Sequence, residues 1–130
     1  MINTRKKKIL IIEDETEFAQ LIKSRLEVNR FQVLTAEDGR TGLQEIIFQK
    51  PDLVILDIMM PGMGGYELCQ RIKGSEELAH VPIVLLTARR GDLDKQMGME
   101  CGADSYVPKP HCAELLLGEV NRLLASNASA

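Results

Sequence analysis

Three acidic residues in this chain directly follow short apolar runs. Glu13 and Asp14 come after the run 9–12, and Asp57 comes after the run 53–56. Continuous apolar runs of this length predict strands that are covered on both faces, as in a parallel sheet. In open α/β sheets, ligands bind at the edge that the carboxyl ends of the strands form. We therefore predict that these three carboxylates meet at one edge of a sheet.

Such a carboxylate cluster predicts a cation-assisted reaction. Like charges oppose mutual ionisation, so Glu13, Asp14 and Asp57 need a cation or a proton between them. Oxygen ligands suit a hard divalent ion, and Mg²⁺ is usually held by one or two carboxylates with water and phosphate. A carboxylate nucleophile forms an acyl phosphate. We predict that Asp57 accepts a phosphoryl group beside Mg²⁺, with Mn²⁺ as an alternative ion.

Two further polar residues are predicted to reach the same edge. Thr87 follows the apolar run 83–86, and Lys109 lies just past a short segment, 105–108, that reads as a strand. Phosphoryl transfer depends mainly on positioning and on stabilising charge at the equatorial oxygens. We expect the Lys109 ammonium and the Thr87 hydroxyl each to contact one of those oxygens, and Mg²⁺ to neutralise a third.

The rest of the chain alternates between strand and helix patterns. Apolar or β-branched segments predict five strands, at 9–12, 31–35, 53–57, 83–86 and 105–108. Apolar residues at helical spacing predict a helix after each of them, at 16–28, 43–47, 66–72, 92–101 and 115–124. This alternation predicts a single-domain α/β fold, a parallel sheet with helices on both faces and right-handed crossovers. We expect the chain to fray from residue 126.

Composition excludes several classes of function. The 130 residues are 45% hydrophobic and 27% charged, and the net charge of −3 favours neither nucleic acid nor membrane as a partner. No apolar run approaches the ~20 residues of a membrane-spanning helix. The basic cluster at 5–8 precedes only a strand-length apolar run, so a signal peptide is rejected. Three cysteines without paired spacing predict a reduced, cytoplasmic protein.

The separated motifs together resemble the receiver domain of two-component response regulators. They are Ile-Ile-Glu-Asp at 11–14, the segment from Asp57 to Leu68, Leu-Thr-Ala at 86–88, Gly-Ala-Asp at 102–104 and Lys-Pro at 109–110. The resemblance covers residues 7–125, leaving a basic leader at 1–6 and a tail at 126–130. It implies the flavodoxin-like receiver fold, with three α/β/α layers and a five-stranded parallel sheet in the order 2-1-3-4-5.

The resemblance also implies roles for the site residues. Asp57 would be phosphorylated by a sensor histidine kinase or a histidine phosphotransfer protein. Mg²⁺ would bind Asp14, Asp57 and the backbone carbonyl of Met59, with Glu13 acting through water. Self-catalysed phosphorylation and dephosphorylation would be slow. The family usually has a cis peptide bond at the step from Lys109 to Pro110, which this sequence permits.

A switch is implied as well. Phosphorylation would draw the Thr87 hydroxyl toward the phosphoryl group, and the Tyr106 ring would turn inward to fill the vacated space. A downstream protein would then bind the output face, which comprises the fourth predicted helix, the fifth strand and the fifth predicted helix. Met59, Ala88 and Arg89 would flank the phosphoryl group. The chain would be a single-domain regulator or the receiver part of a larger one.

Each residue also has an ordinary interpretation when taken alone. Glu13 and Asp14 could cap the first helix, and Lys109 could be a solvated surface charge. An aspartyl-phosphate phosphatase of the haloacid dehalogenase type is an alternative, but that family places a second aspartate where this chain has Met59. A flavodoxin-like electron carrier is disfavoured because acidic residues follow the first strand, and they would repel the phosphate of FMN. The joint pattern favours the receiver.

Overall fold

The structure is a computed structural model that describes residues 5–87, 100–109 and 112–128, with the side chains of residues 112 and 126–128 left aside. Its elements, in chain order, are β1 (Lys8–Ile12), α1 (Thr16–Val28), β2 (Gln32–Ala36), α2 (Gly39–Gln49), β3 (Leu53–Asp57), α3 (Gly65–Lys73), β4 (Ile83–Thr87), β5 (Ser105–Pro108) and a C-terminal helix (Cys112–Ala128). The helix predicted at 92–101 lies almost entirely outside the described residues.

The five strands form one parallel sheet in the order β2-β1-β3-β4-β5. This confirms the predicted fold class and strand order. Every residue of β3 and β4 is buried, as are the last four residues of β1. Continuous burial follows from helices covering both faces of the sheet, which explains why these strands read as unbroken apolar runs.

Two apolar clusters lie on opposite faces of the sheet. Alternate residues of β1 divide between them, because successive side chains of a strand point to opposite faces. Ile9 and Ile11 pack with α1 and the C-terminal helix, whereas Leu10 and Ile12 pack with α2 and α3. The result is the predicted arrangement of three layers, with the sheet in the middle.

Three element boundaries differ from the predictions. β2 runs from Gln32 to Ala36 rather than over 31–35, because Gln32 N–H donates to Lys7 O at 2.9 Å and pairing with β1 begins there. α2 begins at Gly39, directly after the N-cap Asp38, and so starts earlier than the apolar stripe at 43–47 that predicted it. The C-terminal helix runs from Cys112 to Ala128, which is longer than the apolar stripe at 115–124 that predicted it.

α2 begins at a side-chain cap. The Asp38 carboxylate accepts a hydrogen bond from Thr41 N at 2.7 Å, which satisfies one of the unpaired N–H groups of the first turn. Hydrogen bonds from Thr41 to the charged form hold the pKa of Asp38 below its usual value. The helix ends at Lys50, whose φ of 50° is left-handed. The cap thus fixes where the chain turns after β2.

The amino ends of β4 and β5 are joined through Lys73. Its ammonium donates to Val81 O at 2.8 Å and to Ala79 O at 3.2 Å, and it pairs with Asp104 Oδ2 at 2.8 Å. Asp104 Oδ2 also accepts from Ile83 N at 2.8 Å. One lysine therefore links α3, the loop after it and the starts of two strands. The Gly-Ala-Asp motif supplies the carboxylate.

We predict that Lys73→Met lowers the free energy of unfolding by about 1–3 kcal/mol, because it leaves half-buried carbonyl groups and a carboxylate without their charged donor. Urea denaturation monitored by circular dichroism measures this. The control is Arg122→Met, which removes an exposed pairing with Glu119 at 2.7 Å on the C-terminal helix. Exposed pairs contribute little, so no measurable change is expected there. Equal effects in both variants would contradict the prediction.

Candidate functional site

The carboxyl edge of the sheet gathers the three acidic residues that sequence reasoning singled out. Glu13 and Asp14 follow β1, and Asp57 ends β3, which is the neighbour of β1 in the sheet. Each offers a carboxylate oxygen, and these oxygens lie within 4.8 Å of one another. Glu13 and Asp57 are each 1% exposed, whereas Asp14 faces solvent. The predicted convergence is therefore observed.

Lys109 reaches the same cluster from the end of β5. Its Nζ lies 2.7 Å from Glu13 Oε1 and 3.2 Å from Asp57 Oδ2. It also pairs with Glu15 Oε1 at 3.0 Å and lies 4.9 Å from the centroid of the Phe18 ring. A single ammonium thus contacts three carboxylates, two of them buried.

Thr87 and Tyr106 occupy the two strands nearest Lys109. Thr87 is the last residue of β4, is buried, and accepts the Lys109 N–H on its backbone oxygen at 2.6 Å. Tyr106 lies in β5 opposite Leu85 of β4 and packs, partly buried, against the apolar cluster on the α2 and α3 side. Both residues are where the predictions place them, and their switching roles are taken up below.

The loop after β3 folds back over the Asp57 backbone. Met59 N–H donates to Asp57 Oδ1 at 3.2 Å, and Gly65 N–H donates to Ile58 O at 3.1 Å. A Cβ atom on Gly65 would lie 2.4 Å from the backbone oxygen of Asp57. Only glycine fits at this approach, which brings the start of α3 against the backbone of Asp57. Gly62, with φ of 75°, makes the preceding turn.

Burial and neighbouring charges together raise the pKa values of both Glu13 and Lys109, although burial acts on the two groups in opposite directions. Burial raises the pKa of Glu13 to about 7, although pairing with Lys109 opposes this. For Lys109 burial is the largest influence and lowers the pKa, but pairing with Glu13 and Glu15 and the charge of Asp57 outweigh it and leave the pKa raised. Lys109 is therefore a permanent cation at neutral pH.

The donor set suits a divalent cation. Among the described residues, Glu13 Oε1 is a buried oxygen without a hydrogen-bond donor, and Lys109 Nζ lies 2.7 Å from it as an ion-pair partner. Four carboxylates stand against one lysine once Glu15 is counted. Oxygen-only donors with excess negative charge fit Mg²⁺ or Mn²⁺. Glu13, Asp14 and Asp57 are the side chains that would hold the ion.

Some predicted site features lie outside the described residues. These are Ala88, Arg89 and the peptide bond between Lys109 and Pro110. Met59, whose carbonyl was the remaining predicted metal ligand, has a side chain that is 61% exposed. Sequence reasoning missed Glu15 and Phe18 as contacts of Lys109. The unbroken acidic run at 13–15 was the available signal for Glu15.

A cavity of about 740 Å³ lies at the opposite end of the sheet, between the segments 50–52 and 77–82. Lys7 precedes β1 there, and Pro82 precedes β4, so the cavity sits at the amino ends of the strands. None of its lining residues belongs to the carboxylate cluster. The carboxylate cluster at the carboxyl edge is therefore separate from this cavity.

Residues 9–121 match the family model described as the response regulator receiver domain, and the chain belongs to this family. Receiver domains are signalling switches rather than classical enzymes, and they bind Mg²⁺ at an acidic pocket. The phosphatase alternative finds no support in this match. Response regulators interact with histidine kinases and with downstream targets.

Individual relatives agree with the family. The chain is 40% identical over 116 residues to the transcriptional regulatory protein AfsQ1 of Streptomyces coelicolor, covering 89% of this chain and 50% of that protein. It spans about half the length of the curated relatives it matches.

Solved structures agree on the fold. A putative response regulator from Chloroflexus aurantiacus superposes with a TM-score of 0.89 at 32% identity, covering 93% of this chain and 99% of that one. The BeF3-activated N-terminal receiver domain of Klebsiella pneumoniae RstA gives 0.84 at 35% identity, covering 91% and 98%. Within the described ranges, no helix combines the length and apolar character needed to cross a bilayer.

Proposed function

We propose that this chain is the phosphoacceptor of a two-component system or phosphorelay, and that Asp57 receives the phosphoryl group from a histidine kinase or a histidine phosphotransfer protein. The observation that carries the proposal is the contact of Lys109 with buried Asp57 inside a cluster of carboxylates. A lysine that was only a solvated surface charge, and an acid that only capped a helix, would not be expected to form a largely buried ion pair at a sheet edge. Family membership supports the same assignment.

In the proposed reaction an Asp57 carboxylate oxygen attacks phosphorus. The bond from phosphorus to the donor nitrogen breaks, and the donor imidazole leaves with that electron pair. Asp57 is oriented by two contacts, from Met59 N–H to Oδ1 and from Lys109 to Oδ2. The Lys109 ammonium stabilises charge on a phosphoryl oxygen. Asp14, Asp57 and the Met59 carbonyl, with Glu13 acting through water, would hold Mg²⁺, which would supply further positive charge at the phosphoryl group.

We also propose how phosphorylation of Asp57 would change the binding of a downstream protein. Phosphorylation adds charge next to Thr87, and the Thr87 hydroxyl moves to donate to it. Tyr106, one strand away and partly buried, then takes up a different position, and the output face changes its affinity for a downstream protein. The pairing of β4 with β5 over this stretch supports the route. Energetically, phosphorylation biases an equilibrium between two existing conformations.

The test uses the whole chain with acetyl phosphate and Mg²⁺, followed by intact mass measurement. We expect one phosphate adduct, its absence when a chelator replaces Mg²⁺, and slow loss of the adduct after the donor is removed. Turnover of a generic phosphate ester should be barely detectable, which separates a receiver from an aspartyl-phosphate phosphatase. No adduct under these conditions would overturn the proposed function.

A further inference from the structure

Glu15 precedes α1 at the N-cap position, but its side chain contacts Lys109 instead of capping the helix. It is the N-cap residue of α1, yet its side chain makes no capping hydrogen bond. N-cap carboxylates usually accept from the first N–H groups of their own helix. Here Glu15 Oε1 accepts instead from Lys109 Nζ at 3.0 Å, across 94 residues of sequence. The Glu15 carboxylate is therefore aimed at the lysine of the phosphorylation site.

The three carboxylates around Lys109 differ in how firmly they are held. The Glu13 and Asp57 side chains are 0% and 1% exposed, and Glu13 Oε2 is fixed by the Glu15 N–H at 3.1 Å. The Glu15 side chain is 67% exposed. An exposed pair of this kind is weak, so Glu15 can release the ammonium into water at little cost.

We propose that Glu15 competes with the incoming phosphoryl group for the Lys109 ammonium and thereby weakens phosphoryl binding at Asp57. Lys109 Nζ donates hydrogen bonds to Glu15 Oε1 and Asp57 Oδ2 and lies 2.7 Å from Glu13 Oε1, so Glu15 takes up one of the three N–H donors of the ammonium. A phosphoryl oxygen gains a donor when one carboxylate gives way, and the exposed one gives way first. This inference rests on the proposed function, and it assigns Glu15 as a residue that tunes the site rather than as a catalytic one.

The experiment compares Glu15→Gln with Glu17→Gln. Both variants remove one negative charge near the amino end of α1, at the N-cap or in the first turn, and both glutamates are exposed. Of these two glutamates, only Glu15 pairs with Lys109 among the described contacts. The probe is beryllofluoride, which stands in for the phosphoryl group, added with Mg²⁺ and titrated by ¹⁹F NMR. We expect Glu15→Gln to lower the Kd by about two- to five-fold relative to Glu17→Gln.

Two results would overturn the inference while leaving the proposed function intact. Equal Kd values for the two variants would show that only overall charge matters. Weaker binding by Glu15→Gln would show that Glu15 positions Lys109 instead of competing for it. Failure of the wild-type chain to bind beryllofluoride would overturn the proposed function and this inference together. Glu15→Ala, which removes the acceptor altogether, should bind at least as tightly as Glu15→Gln, and thermal melts confirm that each variant is folded.

Discussion

Asp57→Asn is expected to abolish the phosphate adduct that the wild-type chain forms with acetyl phosphate and Mg²⁺. The carboxamide has nearly the same shape as the carboxylate but lacks its nucleophilic anion. Asp57 is buried at the end of β3, and Glu13 still pairs with Lys109 when the Asp57 charge is removed. The variant should therefore fold, and it should lose the adduct because the nucleophile is missing, not because the fold is lost. Intact mass after incubation measures the adduct, and circular dichroism measures the fold.

The matched control lies at the other end of the same strand. Asp52 precedes β3, is only partly buried, and accepts a hydrogen bond from Lys8 N at 2.7 Å. An asparagine at position 52 keeps an oxygen that can accept that bond. Asp52→Asn should therefore form the adduct at the wild-type rate. An adduct that survives in Asp57→Asn would show that another residue is the acceptor.

Gly65→Ala is expected to lower the free energy of unfolding by about 2–3 kcal/mol. The added Cβ would lie 2.4 Å from Asp57 O and 2.7 Å from Ile58 Cα. Both atoms belong to the backbone, so the start of α3 must move away from the end of β3. Because the displaced backbone carries Asp57, formation of the phosphate adduct should also slow. Urea denaturation and the rate of adduct formation measure the two effects.

Gly118→Ala is the control for Gly65→Ala. Gly118 is exposed in the C-terminal helix, and a Cβ there would meet nothing within 4 Å. Alanine is favoured over glycine in helix interiors, so this variant should be more stable than wild type by about 0.5–1 kcal/mol. The two glycine substitutions should thus act in opposite directions. A Gly65→Ala protein as stable as wild type would contradict the close approach.

The sheet and the convergence of charges could be predicted because both follow from simple rules. β3 and β4 are buried throughout, and such strands read as unbroken apolar runs. The carboxyl ends of parallel strands share one edge, so Asp57 and Lys109 had to meet near it. The strand order could not be predicted from these rules, because the alternation of strands and helices does not determine it. It came from the resemblance to receiver domains.

The remaining features depend on contacts between residues distant in sequence. The pairing of Glu15 with Lys109 is set by where β5 ends relative to α1, which no local pattern reveals. The Gly64-Gly65 pair looks like an ordinary turn, and only the folded loop shows which glycine meets the Asp57 backbone. The C-terminal helix, Cys112–Ala128, extends beyond the apolar stripe at 115–124, because such a stripe marks only the turns that pack against the core.

The main-chain hydrogen bond from Lys109 to Thr87 limits which substitutions can change the reaction rate without also changing the signal. Lys109 N–H and Thr87 O are 2.6 Å apart, so the ends of β4 and β5 share one rigid frame. In the proposed function one of these residues assists phosphoryl uptake and the other reports it. A substitution that shifts either strand end then alters chemistry and signal together. Substitutions of side chains outside these two strand ends can change the reaction rate alone, and the exposed Glu15 is one such side chain.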